Sequence, residues 1–158
     1  MKVVDIPNFG KITLKNILFD INGTIQFYGN ISRNKRKCIK KLKKYFNIYL
    51  ISADTRGNLK EIAKKLNVNY IKIRSKDLSE AEAKNHELMK LGKDFTVAIG
   101  NGNNDYLMLK NSIIGIVILG KEGASVKSII NSDLVLNNLR EVINFLLDEK
   151  IMIATLRS

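Results

Sequence analysis

Asp20 ends an apolar run, Ile17-Leu18-Phe19, and opens the turn Ile21-Asn22-Gly23-Thr24. A buried strand that stops at a tight polar turn delivers one carboxylate to the carboxyl edge of a sheet, where open α/β folds bind ligands. A carboxylate there can act as a nucleophile and form a covalent intermediate. A second run, Ile48-Tyr49-Leu50-Ile51, meets Ser52-Ala53-Asp54-Thr55, and a third, Phe95 to Ile99, meets Gly100-Asn101-Gly102-Asn103-Asn104-Asp105. Lys84 lies one helix ahead of the third run. Carboxylate, hydroxyl, ammonium and a Gly/Asn/Asp turn together suit phosphoryl transfer. That reaction needs an in-line nucleophile, positive charge on the transferring oxygens and a metal to bridge nucleophile and phosphate.

In this order, Asp-x-x-Gly-Thr, then Ser at a strand end, then Lys, then Gly-x-Gly-x-Asn-Asp, the chain resembles the haloacid dehalogenase (HAD) superfamily of phosphohydrolases. Within it the nearest likeness is to P-type ATPase catalytic domains and their small soluble relatives. Asp20 to Thr24 parallels Asp-Lys-Thr-Gly-Thr; Ser52-Ala53-Asp54 parallels Thr-Gly-Asp, and Gly100 to Asp105 parallels Gly-Asp-Gly-x-Asn-Asp. The ending, Lys150 to Arg157, is similar to that of the soluble P-type-ATPase-like phosphatases.

The resemblance implies a role for each position. Asp20 is the nucleophile, Ser52 hydrogen-bonds a phosphoryl oxygen, and Lys84 neutralises the phosphate and Asp20. Asn22, Gly23, Thr24 and Ala53 cradle the phosphate. Mg²⁺ is held by the Asp20 carboxylate, the Asn22 backbone carbonyl, Asn101 and Asp105, a hard-oxygen set of the kind Mg²⁺ takes. Thr55 is the spare candidate for Ser52, and Lys76 and Lys90 for Lys84. His86 belongs to no motif and is expected on an exposed helical face.

Two positions depart from the pattern. Asn101 stands where the pumps carry Asp, which removes a negative charge from the metal set and predicts weaker metal binding. Asn22 stands where typical HAD phosphatases carry an aspartate that protonates the leaving group and then activates water. General acid/base catalysis is worth about 10²–10⁴ in rate, so slow turnover on poor leaving groups is expected. The leading reading is a Mg²⁺-dependent phosphohydrolase working through an aspartyl-phosphate. The alternative is a catalytically weakened phosphate-binding or regulatory module. A two-component receiver would carry an acidic pair at the end of its first strand, and no such pair occurs here.

The elements that must position these residues follow from hydrophobic periodicity. Short apolar runs alternate with segments of 3.6-residue period, which argues for βαβ units and a mainly parallel sheet. Strands are expected at Val3 to Ile6, Ile12 to Leu14, Asn16 to Phe19, Ile48 to Ile51, Tyr70 to Ile73, Phe95 to Ile99, Ile113 to Leu119 and Leu134 to Leu136. Helices are expected at Ser32 to Phe46, with Cys38, Ile39, Leu42, Tyr45 and Phe46 inward, and at Asn58 to Leu66. Further helices are expected at Ser79 to Leu91, Asn104 to Lys110, Ala124 to Asn131 and Leu139 to Leu147. Ser79 with Glu82 forms a capping-box signature. Right-handed crossovers then give an α/β, Rossmann-like three-layer sandwich. Only one helix fits between Asp20 and Ser52, so no cap domain or nucleotide-binding insertion is expected. The open site that results suits a macromolecular or extended phosphorylated substrate, or a covering partner.

The 158 residues suit one domain spanning 1–158. No apolar stretch approaches the ~20 residues of a membrane helix, and the N-terminus lacks the apolar segment of a signal peptide, so a soluble, cytoplasmic, non-pumping protein is expected. Cys38 is the only cysteine, which rules out an internal disulfide or a cysteine-cluster metal site. The net charge of +12 favours phosphorylated or polyanionic partners. Lys35-Arg36-Lys37, Lys40-Lys41 and Lys43-Lys44 make a basic helix face. Its plain reading is a solvated exterior; aromatic interleaving and a binding motif are absent, so nucleic acid is the lesser reading. Oligomeric state is open, and the apolar segment Ile151-Met152-Ile153 suits either an interface or the core.

Overall fold

A computed structural model of the chain describes residues 1–26, 30–74 and 77–158. An antiparallel hairpin comes first, β1 (Lys2–Ile6) and β2 (Gly10–Leu14), turning through Asn8 in the left-handed region. It leads into β3 (Asn16–Asp20), every residue of which is buried. The unbroken apolar run of β3 is what a central parallel strand, covered on both faces, requires.

The remaining strands are β4 (Asn47–Ser52), β5 (Asn69–Lys72), β6 (Thr96–Gly100), β7 (Ile114–Ile118) and β8 (Leu134–Leu136). They join β3 in one six-stranded sheet of order β5-β4-β3-β6-β7-β8, with every neighbouring pair parallel. The order reverses at β3: the chain first builds outward on one side and then returns to build on the other. In doubly wound sheets such a reversal opens a crevice at the carboxyl ends of the strands, and ligands bind there.

Helices cover both faces, making three layers. Ile17 and Phe19 of β3 face one core, shared with α1 (Arg33–Leu42), α2 (Leu59–Leu66), α6 (Leu139–Leu147), α7 (Glu149–Leu156) and the hairpin. Leu18 faces the other, shared with α3 (Glu80–Leu91) and α4 (Tyr106–Asn111), with the short α5 (Val126–Ile129) at its margin. The alternation follows from the two-residue period of a strand. Between Asp20 and Ser52 the described residues hold one helix, α1, so the fold is capless.

Helix ends follow local chemistry. Ser79 caps α3 in a full capping box: its Oγ accepts from the Glu82 N–H at 3.3 Å, and its own N–H donates to Glu82 Oε2 at 2.8 Å. The box fixes the start of the helix that carries Lys84.

Three expectations need correction. The helix expected from Ser32 to Phe46 ends at Leu42, and residues 43–45 form a turn that reverses the chain into β4. Tyr45 therefore points outward, 50% exposed, while Phe46 still reaches the core. The helix expected over Ala124 to Asn131 is only the single turn α5. Ile151-Met152-Ile153 lies in a helix, α7, that the sequence reading left unassigned: Met152 completes the core, fully buried against the hairpin side, while Ile151 is 41% exposed.

Candidate active site

Neighbouring strand ends build the site. Asp20 closes β3, Ser52 closes β4 and Gly100 closes β6, and the parallel register sets Asp20 opposite Ile51 and Phe19 opposite Ile99. Lys84 enters from α3, where the small buried Ala81 and Ala83 let the helix lie close to the sheet. Its Nζ donates to Asp20 Oδ1 and to Asp105 Oδ1, both at 2.6 Å, and the lysine is 1% exposed. Asp105 ends a single 3₁₀ turn after β6, and its Oδ2 accepts from the N–H groups of Asn101 at 3.0 Å and Gly102 at 2.9 Å. This loop needs Gly100, because a Cβ there would lie 2.5 Å from the Asp105 carboxyl.

Two buried carboxylates thus share one ammonium, which leaves a negative charge uncompensated. Burial first, and the Asp105 carboxylate second, push Asp20 up to about 7 against the opposing pull of Lys84 and the Ile21 N–H. For Lys84, burial works to lower the pKa, but Asp20 and Asp105 together outweigh it and raise it, so the lysine stays charged at neutral pH.

A stability prediction follows from Asp20. Its pKa is raised above the value of 3.8 it has when unperturbed, so the folded state binds more protons than the unfolded state between about pH 4 and 7. Its contribution is complete below that window and is lost as pH rises through it. In the metal-free protein, with a chelator present, the urea midpoint should fall from pH 5 to pH 8, and Asp20→Asn should flatten that slope. An unchanged slope in the variant would refute this account of Asp20.

Lys84 is the structural counterpart. Replacing it with Met leaves both carboxylates buried without a cation, and breaking a buried pair costs about 3–5 kcal/mol. The Lys84→Met loss in urea unfolding should be largest at pH 8, smaller at pH 5, and partly recovered when Asp20→Asn is added.

The turn after Asp20 folds back on itself. Gly23 adopts a φ of +76°, and its N–H donates to the Gln26 carbonyl at 2.9 Å. A side chain at Gly23 would collide with Asn101 and Glu122, so glycine is required for both conformation and space. Asn22 is exposed, and its Oδ1 accepts from Gln26 Nε2 at 2.8 Å. Thr24 is buried; its Oγ1 makes a long hydrogen bond of 3.4 Å to Asn101 Oδ1, and its carbonyl accepts from Lys35 Nζ at 2.8 Å. Asn101 in turn donates to the Gly123 carbonyl at 3.3 Å.

Ser52 is buried, and its Oγ accepts from the Asp54 N–H at 3.0 Å. With Asn22, Gln26, Thr55 and Arg56 it lines a tight cleft. Asp54 supports this turn. It adopts a left-handed φ of +57°, accepts from the Leu59 N–H at the start of α2 at 2.9 Å, and pairs with Lys72 at 3.0 Å. Burial opposes ionisation of Asp54, but Leu59 and Lys72 hold its carboxyl below the usual range. On the other side of Gly23 and Thr24 lies a hollow of about 570 Å³, with Lys35, Ile118, Lys121 and Leu139 among its walls.

The structure therefore brings Asp20, Lys84 and Asp105 into direct contact, ties Asn101 to Thr24 and places Ser52 beside Asn22, with half-buried Ala53 next to Ser52. Thr55 sits exposed on the cleft. Lys90 is exposed on α3 and pairs with Glu87, away from the site, and His86 is exposed as expected. Lys76 lies outside the described residues. Sequence reasoning missed Gln26, Lys35 and Glu122. Glu122 had a readable signal, since Gly120-Lys121-Glu122-Gly123 is a glycine-flanked turn after an apolar run. Lys35 was hidden within the basic run, and Gln26 has no motif to mark it.

Among the described residues no group of three or more His, Cys, Asp or Glu is placed to hold a metal ion. The donors at hand are hard oxygens: the Asp20 and Asp105 carboxylates, the Asn101 amide and the Asn22 carbonyl. The charge left over after Lys84 is the kind that a divalent cation offsets. Such a set fits Mg²⁺ better than a softer metal.

No protein-family model matches the chain. An uncharacterised protein of Methanocaldococcus jannaschii is 48% identical over 61 residues, covering 39% of this chain and 66% of that protein, just under two thirds of its length. Solved structures share the architecture, among them the following three. The cobalt-bound deoxy-D-mannose-octulosonate 8-phosphate phosphatase of Haemophilus influenzae has a TM-score of 0.69 at 15% identity, covering 92% of this chain and 94% of its own. The 3-deoxy-D-manno-octulosonate 8-phosphate phosphatase of Moraxella catarrhalis, in complex with magnesium, phosphate and the sugar acid, has a TM-score of 0.69 at 18% identity, covering 91% and 94%. A subfamily IIIA hydrolase of the HAD superfamily from Legionella pneumophila has a TM-score of 0.66 at 15% identity, covering 90% and 86%. No helix among the described residues is long and apolar enough to cross a membrane. The chain carries the haloacid dehalogenase fold, in the capless-like form of the octulosonate 8-phosphate phosphatases.

Proposed function

We propose that the chain is a Mg²⁺-dependent phosphohydrolase that works through an aspartyl-phosphate on Asp20, is similar in its motifs to P-type ATPase catalytic domains, and is cytoplasmic and non-transporting. The observation that carries this reading is the buried Lys84 held between Asp20 and Asp105 at the carboxyl edge of the sheet. The likeness in fold to phosphatases, one of them complexed with magnesium and phosphate, supports it.

Lys84 fixes the Asp20 carboxylate through Oδ1 and offsets charge on the phosphoryl oxygens. An Asp20 oxygen attacks phosphorus as the bond to the leaving group breaks, and water then cleaves the acyl phosphate to restore the carboxylate. Ser52 and the turn amide at Asn22 orient the phosphoryl group, and the hollow beyond Thr24 receives the leaving group. Asp20, Asn22, Asn101 and Asp105 would hold Mg²⁺, which when bound would supply charge neutralisation. Asn22 has no proton to give, so nitrophenyl phosphate, acyl phosphates and anhydrides should be cleaved faster than alkyl monoesters. ATP specificity does not follow, because no nucleotide-binding insertion is present among the described residues.

The second reading, a weakened phosphate-binding or regulatory module, is favoured by Asn22, whose amide is tied to Gln26. Nitrophenol release from nitrophenyl phosphate with and without Mg²⁺ separates the two. Release that needs both Mg²⁺ and Asp20 supports the enzyme. Binding of vanadate without any release supports the module.

A further inference from the structure

Eight of the twelve residues from 33 to 44 are Lys or Arg, and none is acidic. Arg33, Arg36, Lys37, Lys40 and Lys41 recur at three- and four-residue spacing along α1, with Lys44 continuing the row into the following turn, and all six are exposed. One stripe results, roughly 16 Å long at 1.5 Å per residue. Among the described residues none of the six joins an ion pair, whereas elsewhere the fold does pair its helix-surface cations, Lys65 with Glu61 and Lys90 with Glu87.

This pattern works against the fold. Like charges at i,i+4 (Arg33 with Lys37, Arg36 with Lys40, Lys37 with Lys41) destabilise a helix by about 0.2–0.5 kcal/mol each. Arg33 and Arg36 also stand at the positive end of the helix dipole, where the first turn has no acidic residue. A merely solvated face would intersperse carboxylates. Arg140 of α6 is exposed across a hollow shared with Lys37 and Cys38 and widens the positive surface.

From this we infer that the outer face of α1 is a nucleic-acid-binding surface, which grips the phosphate backbone without reading bases. A lipid surface fits less well. An interfacial helix must offer an apolar face, and here Ile39 and Leu42 are buried in the core. Binding to phosphates alone requires neither aromatic interleaving nor a recognition motif.

The test is fluorescence anisotropy with a labelled DNA duplex of about 20 base pairs, titrated across salt concentrations, with phosphatidylserine-rich vesicles in parallel. The expected result is binding at about 50 mM salt with a log–log salt slope of about −4 to −5. Lys40→Gln should reduce that slope by about 1. The quadruple change Arg36→Glu, Lys37→Glu, Lys40→Glu, Lys41→Glu should weaken binding by more than about 100-fold, while Lys64→Glu with Lys65→Glu on α2 leaves it unchanged. The Lys40→Gln variant is too mild to unfold the chain and keeps the test valid should the quadruple variant melt. No binding by the wild type up to roughly 100 µM protein, a slope unmoved by Lys40→Gln, or tighter binding to vesicles than to the duplex would each overturn the inference.

Discussion

Asp20→Asn is expected to abolish nitrophenyl phosphate hydrolysis, a fall of about 10⁴-fold or more, since loss of a nucleophile leaves only the positioning groups. The amide cannot form the covalent intermediate, so acid-stable labelling by a phosphoryl donor should vanish as well. The same change should improve the fold. Asp105 would then pair one-to-one with Lys84, and the uncompensated charge at the buried centre would be gone. At pH 8 in chelator the variant should melt several degrees above wild type, given a shift of about 2–4 °C per kcal/mol for a domain of this size. Loss of activity with a gain in stability is the signature of a catalytic group held at a structural cost. Activity retained in this variant would end the aspartyl-phosphate mechanism.

Asn22→Asp should act in the opposite direction, raising turnover by about 10²–10⁴ on alkyl phosphates and less on nitrophenyl phosphate, whose leaving group needs no proton. The fold is already prepared for the change. Gln26 donates to Asn22 Oδ1 and would donate equally to a carboxylate, so the new acid would keep the position the amide has now. If the wild type releases its phosphate slowly, the steady-state fraction of labelled enzyme should fall in the variant as total turnover rises. Equal rates for the wild type and the Asn22→Asp variant on an alkyl monoester would show that this position is not the limiting defect.

Much of the sheet could be read from the sequence because a parallel strand buried on both faces is a continuous apolar run, and β3, β4, β6 and β7 each have one. The polar turns that follow these runs placed Asp20, Ser52 and Asn101 at one edge, and the capping box placed Lys84 on its helix. Two kinds of feature were not legible. Periodicity could not tell a helical turn from the reversal at residues 43–45, because Leu42 and Phe46 keep the spacing of a buried helical face while the chain turns between them. Contacts between distant segments carry no local mark, which is why Gln26 and Lys35 escaped notice and why Asp54 was read as part of a motif. In the structure Asp54 ties the β4 turn to α2 and Lys72.

The reversal of strand order at β3 divides the site between two stretches of chain. Asp20 and Ser52 belong to the stretch that runs outward to β5, and Lys84, Asn101 and Asp105 to the stretch that begins with α3. During synthesis the first stretch emerges with Asp20 lacking Lys84, and the lysine arrives only when the second stretch docks against the free edge of β3. Completing the sheet and neutralising the site are therefore one event. Neither stretch holds the Lys84–Asp20 pair alone, and after a break in the chain between β5 and α3 only reassembly of the two pieces would restore the buried lysine to Asp20.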